Sequence, residues 1–278
     1  MFRRTFSAMM RDMFHRKEFY IALCIFLLFF LGPAVVSLAG LWGTSRNFLY
    51  AAWCYWGNEA MYAHTRFAAL GFNTMIFLMP FCAGLAYSFS YFDARKNGAL
   101  LFQITRTGRK NYFLSAMLTA FCGSFLLVFI PMVLTLVFCC IAYPVDSLQI
   151  FSLTASTDVS INKANCFRVL YLNHPYWARL LYCLFFSLVS GLMGMLPLSF
   201  SFFFKKSRFV ILTLPGIIWI VSWYFLTITG QGINTLALLA STYDRAFSPA
   251  NYLVFLLILL GLNLAAVGYK LLFAKDEL

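Results

Sequence analysis

Enzyme chemistry needs acids, bases, nucleophiles or metal ligands at workable spacing, and this 278-residue chain offers few of them. Its three histidines, His15, His64 and His174, stand far apart, and none belongs to an H-E-x-x-H pair. An intramembrane zinc protease therefore has no ligands to build on. There is no C-x-x-C, no G-x-S-x-G elbow and no G-x-x-x-x-G-K-[ST] phosphate loop, so redox, acyl-transfer and nucleotide-hydrolysis motifs are all missing. No catalytic residue and no metal site is assigned, and the chain reads as a non-enzyme. One stretch does concentrate reactive character: residues 93–113, DARKNGALLFQITRTGRKNYF. It predicts a short helix over about 94–105, with Asp93 accepting from its first backbone N–H groups. Gly108 is expected to end that helix, with Arg109 and Lys110 anchoring the next segment at lipid headgroups. Leu100, Leu101, Phe102 and Ile104 form an apolar patch between basic clusters. Such a patch needs cover from lipid or from a protein groove, so its chemistry is recognition rather than catalysis.

The elements that must hold this loop are long and greasy. The chain is 62% hydrophobic and 11% charged, with 33 Phe, whereas a soluble domain carries about a quarter charged residues. Six apolar segments stand out, at roughly 19–41, 71–92, 112–142, 176–204, 209–229 and 249–269. A helix of about 20 residues crosses the hydrocarbon layer. Apart from Arg179 near the start of the fourth, these segments contain no Asp, Glu, Lys or Arg. A charge at the bilayer centre costs about 2.5–3.5 kcal/mol on insertion scales, so their absence is informative. The runs lack the period-2 alternation of a membrane barrel. The predicted fold is all-α and integral to the membrane: a single transmembrane domain over 1–278 with six spans. Segments three and four exceed the minimum length, which predicts tilt, kinks or extra helix outside the lipid.

Charge sets the orientation. Most of the 21 basic residues fall in the N-terminal region (Arg3, Arg4, Arg11, Arg16, Lys17), the loop after segment two, the loop after segment four (Lys205, Lys206, Arg208) and the tail. By the positive-inside rule both termini are expected in the cytoplasm, in a multi-pass protein of the plasma membrane. The net charge of +12 is then a topology signal and a surface for anionic lipid headgroups, not a nucleic-acid footprint. The final KDEL matches a retention signal read from the lumen, which a cytoplasmic tail does not reach. Segment one spans a full bilayer, so it reads as a retained helix rather than a cleaved signal.

Residues 1–18 carry Phe2, Phe6, Met9, Met10, Met13 and Phe14 at helical spacing, with charges mainly elsewhere around the wheel. That pattern predicts an interfacial helix. Pro33, Pro80, Pro131, Pro197 and Pro215 each fall inside a span, and the Gly32–Pro33 and Pro215–Gly216 pairs are the best candidates for hinges or broken helices. Residues 233–241, INTLALLAS, are too short to span and too apolar for an ordinary loop, which fits a re-entrant or interfacial helix before the last span. Six cysteines sit in spans, while Cys54 and Cys166 fall in external loops, where a disulfide is chemically open to them. Within the spans only mild polar groups occur, among them Asn73, Thr74, Tyr87, Ser88, Ser222, Tyr224, Thr227 and Asn263. They serve either helix–helix hydrogen bonding or a weakly polar substrate path, for which Asn73, Tyr87, Ser222, Tyr224 and Thr227 are the candidates. Proton or ion coupling has no ionisable groups to use.

The loop and the architecture together resemble the ABC-2-type ABC transporter permeases. In that family an acidic residue, a glycine, a short apolar helix and an arginine precede the third span. Asp93, Gly98, Leu100 to Ile104 and Arg109 take those places here, with Arg106 beside them. Asp93 stands where glutamate is more usual, the proline common before the arginine is absent, and no lysine occurs early in the third span. The resemblance implies that 94–105 is a coupling helix seated in the cleft of an ATPase subunit. It implies two such ATPases, which bind ATP and Mg, and a second permease, identical or homologous, with segments one, two and five lining the route. No cofactor is then expected in this chain. The implied function is export of an amphipathic or hydrophobic substrate: peptide, lantibiotic, lipid or drug. The alternative is a non-transporting membrane scaffold or sensor that recruits a cytoplasmic partner.

Overall fold

The computed structural model describes residues 1–43, 51–52, 56, 66–145, 170, 173–203, 207–228 and 249–272. The loop residues Cys54 and Cys166 and the re-entrant element expected over 233–241 lie outside the described residues. The helices are α1 (Phe2–His15), α2 (Lys17–Gly40), α3 (Arg66–Gly84), α4 (Phe89–Lys96), α5 (Ala99–Thr107), α6 (Arg109–Ala142), α7 (Pro175–Ser201), α8 (Arg208–Ile228) and α9 (Pro249–Leu272). No strand occurs among the described residues.

Five stretches are long and apolar enough to cross a membrane: Lys17–Gly40, Thr74–Lys96, Arg109–Ala142, Pro175–Ser201 and Leu253–Leu272. The described apolar part of α8, Arg208–Val221, is shorter. The outward faces carry large hydrophobic side chains that water would not tolerate in such numbers. Leu28 on α2, Phe209 and Val221 on α8, and Leu253 and Leu262 on α9 are all more than half exposed. Lipid is the solvent this surface fits, and the chain is a multi-pass membrane protein. At about 1.5 Å per residue, the 34 residues of α6 extend roughly 51 Å, well beyond a hydrocarbon core of about 30 Å.

The centre of the bundle is the pair α6 and α7, with α2 against α6 and α3, α1 across α6, α8 on α3 and α7, and α9 on α7. Small residues let the backbones approach, as packing in lipid demands. At Gly194 of α7 a side-chain carbon would overlap the Ser124 side chain and sit 3.1 Å from the Ala83 carbonyl oxygen. Around this point Ser124 Oγ donates to the Ala83 carbonyl at 2.7 Å, Ser190 Oγ to the Ser124 carbonyl at 3.1 Å, and Ser88 Oγ to the Gly194 carbonyl at 3.3 Å. Asn263 Nδ2 donates to the carbonyls of Leu259 and Leu192, and its Oδ1 accepts from Ser199 at 2.8 Å, which ties α9 to α7. Asn263 and Ser88 thus serve helix–helix hydrogen bonding.

The second span is not one uninterrupted helix. α3 stops at Gly84, the amides of Leu85 and Ala86 bond three residues back, and α4 starts at Phe89. Close packing fixes the break, because Gly84 lies against Pro197 and Leu212 while Ser88 is drawn to α7. Conversely, the Gly–Pro pairs break nothing, since α2 runs through Pro33 and α8 through Pro215. Each proline removes one donor from a helix whose remaining ladder and neighbours hold it.

The N-terminal segment forms the helix its periodicity predicts, and it is more than a basic flank. Met13 is fully buried, with its sulfur against Gly123 of α6, while Phe2 and Phe14 stay partly exposed. Arg16 interrupts the helix in an extended conformation and α2 begins at Lys17.

Candidate functional site

The loop of residues 93–113 lies at the same end of the bundle as α1, the start of α8 and the end of α9. Ion pairs and hydrogen bonds from Asp93 and Arg109 reach all three regions. The described residues of the four basic clusters read from the sequence therefore share one end.

Here the short helix begins later than its sequence predicts. α4 continues through Asp93 to Lys96, and α5 starts only at Ala99 after a turn at Asn97 and Gly98. Gly98 has φ 69°, left-handed backbone that glycine adopts without strain. Gly108, with φ 81°, closes α5 as expected, its N–H donating to the Ile104 carbonyl at 2.8 Å. Asn111 Nδ2 caps the Thr107 carbonyl at 3.1 Å. Nothing crowds the missing side chain of Gly98, so substitution there tests the backbone alone. Gly98→Ala is expected to cost about 1–2 kcal/mol, with Gly98→Asn costing less. The readout is hydrogen exchange across residues 99–107, and equal protection in all three proteins would refute the left-handed junction.

α5 has two faces. Leu100 is buried and Ile104 half-buried, four residues apart on the inner face. Leu101 and Phe102 point outward, 47% and 80% exposed, and Arg106 is exposed beside them. Of the apolar patch, only Leu101 and Phe102 are therefore open to an outside partner.

Asp93 does not cap a helix, which corrects the expectation. Its carboxylate lies inside α4 and joins three elements: Arg16 at the α1–α2 junction, 3.8 Å away, and Arg208 at the start of α8. Arg16 in turn donates from Nε and Nη2 to one Asp12 oxygen at 3.0 and 2.9 Å, and stacks over the Tyr87 ring with 5.3 Å to its centroid. The reason is tertiary. A carboxylate near two guanidinium groups gains more from them than from exposed amides at a helix start. Arg109 also reaches across the bundle, donating to the Lys270 carbonyl in the last turn of α9. Arg16, Arg208 and Lys270 are participants that sequence reading treated only as topology markers.

Of the candidate path residues, Tyr87 is buried beneath Arg16 at the charged end, and Tyr224 is 62% exposed on α8. The side chains of Asn73, Ser222 and Thr227 lie outside the described residues. Between α1, α4, α5 and the first turn of α6 there is a cavity of about 770 Å³. It is lined by charged and polar groups, including Arg4, Asp12, Arg16, Asp93, Gln103 and Arg106. No cluster of three or more metal-binding side chains occurs among the described residues.

No protein-family model, no curated protein and no solved structure matches the chain. Fold and site together define a class: a multi-pass helical membrane protein whose charged end carries an ion-paired hub, a cavity lined by both charged and apolar groups, and a short helix with an exposed apolar edge.

Proposed function

We propose that this chain is the membrane permease subunit of an ATP-driven exporter of the ABC-2 type, with α5 as the coupling helix for a separate ATPase. One observation carries the reading. α5 is pinned from within by Leu100 and Ile104 and bounded by two glycines of positive φ, yet presents Leu101 and Phe102 outward. A rigid knob of this kind fits the cleft of a partner protein better than a passive loop does. The Asp93 hub gives displacement of α5 somewhere to go. Asp93 belongs to the helix just before α5 and is ion-paired to residues that open α2 and α8. Those are the first and fifth of six spans in this reading, in which α8 crosses the bilayer and both termini are cytoplasmic in the plasma membrane.

In this scheme two ATPases bind ATP and Mg, two permeases pack together, and an amphipathic or hydrophobic cargo leaves the cytoplasm. The spans carry no acidic or basic side chain past their ends save Arg179, which stacks over Trp56 with 5.2 Å to its ring centroid. A lining without charges fits peptide, lantibiotic, lipid or drug. Purification in gentle detergent tests the assignment. A stoichiometric companion with a phosphate-loop motif is expected, with ATPase activity in proteoliposomes stimulated by amphipathic compounds. Absence of that companion sinks the exporter, and stimulation by highly charged solutes alone sinks the cargo assignment.

A further inference from the structure

The cavity at the charged end has an imbalance that its own side chains leave uncorrected. Its two carboxylates, Asp12 and Asp93, are both engaged by Arg16, and Asp93 also by Arg208. Arg4 from α1 and Arg106 from α5 also line it, and neither has an ion-pair partner among the described residues. Two guanidinium groups from different elements thus border a space that also holds the neutral hydrogen-bonding groups of Asn97, Gln103 and Thr107. Guanidinium is the side chain whose fork of donors fits phosphate oxygens. The volume of about 770 Å³ lies within the usual range for ligand sites, roughly 300–1,000 Å³.

Position selects the source of the phosphate. The cavity sits where α4 ends and α6 begins, at the ends of two membrane-crossing stretches. The charged last turn of α4, with Asp93, Arg95 and Lys96, suits the level of lipid headgroups. The cavity's α1 wall includes Met1, Ala8 and Met9, and the same helix leaves Phe2 and Phe14 partly exposed. A headgroup in the cavity therefore leaves its acyl chains beside apolar side chains, which a free phosphate would not need. We propose that this cavity binds the phosphate-bearing headgroup of an anionic phospholipid, held between Arg4 and Arg106. A lipid there joins the N-terminal helix to α5 and so bears on how rigidly α5 is presented. The inference rests on the chain being embedded in a membrane and not on the exporter reading, so either can fail alone.

The test uses the full-length chain in neutral detergent, with whatever companions it retains. Melting temperature is titrated with dioctanoyl phosphatidylglycerol, dioctanoyl phosphatidylcholine and glycerol 3-phosphate. Phosphatidylglycerol is expected to raise the melting temperature at concentrations where the other two do not. The Arg4→Gln/Arg106→Gln variant should need roughly tenfold more lipid or beyond, the effect of losing charge-assisted hydrogen bonds. The Arg3→Gln/Arg11→Gln variant makes the same charge change at exposed residues off the cavity and should respond like the original. Arg106→Lys keeps the charge and should lose only part of the response, a second check should the double variant be unstable. Equal lipid responses in both double variants would overturn the site, as would equal responses to the two lipids. Stabilisation by glycerol 3-phosphate as strong as that by phosphatidylglycerol would overturn the lipid source.

Discussion

If α5 is the coupling helix proposed above, the Leu101→Asp/Phe102→Asp variant is expected to lose the ATPase companion while the bundle stays folded. Both side chains project from the outer face of α5, and Phe102 is the more open of the two. Full burial of a Leu or Phe in a partner contributes about 1.5–3 kcal/mol. Leu101 is already half covered, so the pair together supplies about 3 kcal/mol, and a carboxylate in an apolar cleft adds a desolvation penalty. The loss in affinity is then about 100-fold or more. Inner-face contacts are untouched, because Leu100 and Ile104 remain. Co-purification and coupled transport are the measurements, with melting temperature as the check on folding. Undiminished ATPase binding and transport in a folded variant would remove α5 from the coupling role and favour an interfacial helix covered by lipid.

The same helix shows what a sequence can and cannot disclose. Its apolar patch, its end at Gly108 and the long helices on either side follow from local rules: spacing, a glycine that accepts positive φ, and runs long enough to span. What failed was the role of charges. Asp93 has the composition and place of an N-cap, and local chemistry alone favours that role. Arg16 and Arg208, distant in sequence, outcompete the backbone for its carboxylate. Arg109 likewise pairs with a group distant in sequence, the Lys270 carbonyl of α9. Such pairings depend on how the spans pack, and the spans conceal their packing. α2 is apolar all the way round, so its sequence does not tell the face toward protein, with Phe26 and Phe30, from the face that carries Leu28. Two of the substrate-path candidates illustrate this. Tyr87 and Tyr224 are both mild polar groups in greasy runs, yet one lies inside at the charged end and the other points outward.

Packing at Gly194 makes the prediction with the largest effect on stability. Three helices converge there: Ala83 from α3, Ser124 from α6 and Gly194 from α7. The space for a side chain at 194 is already occupied by Ser124, and the Ala83 carbonyl oxygen behind it is backbone that cannot swing away. Gly194→Leu must therefore separate α6 from α7 along the central contact of the bundle. Overpacking of a filled interior costs about 1–3 kcal/mol, and this site belongs at or above the upper end. The expected result is a sharp drop in melting temperature and loss of a monodisperse peak in detergent. A double-mutant cycle separates this cause from a general intolerance of the helix to change. Gly194→Ala and Ser124→Gly each destabilise, the second by removing the 2.7 Å hydrogen bond to Ala83 and adding a helical glycine. Together they should cost less than their sum by about 1–2 kcal/mol, because Ser124→Gly clears the space that the new methyl group needs. Additive losses would mean that Ser124 and Gly194 do not meet, and that the α6–α7 pairing at the centre of this fold is wrong.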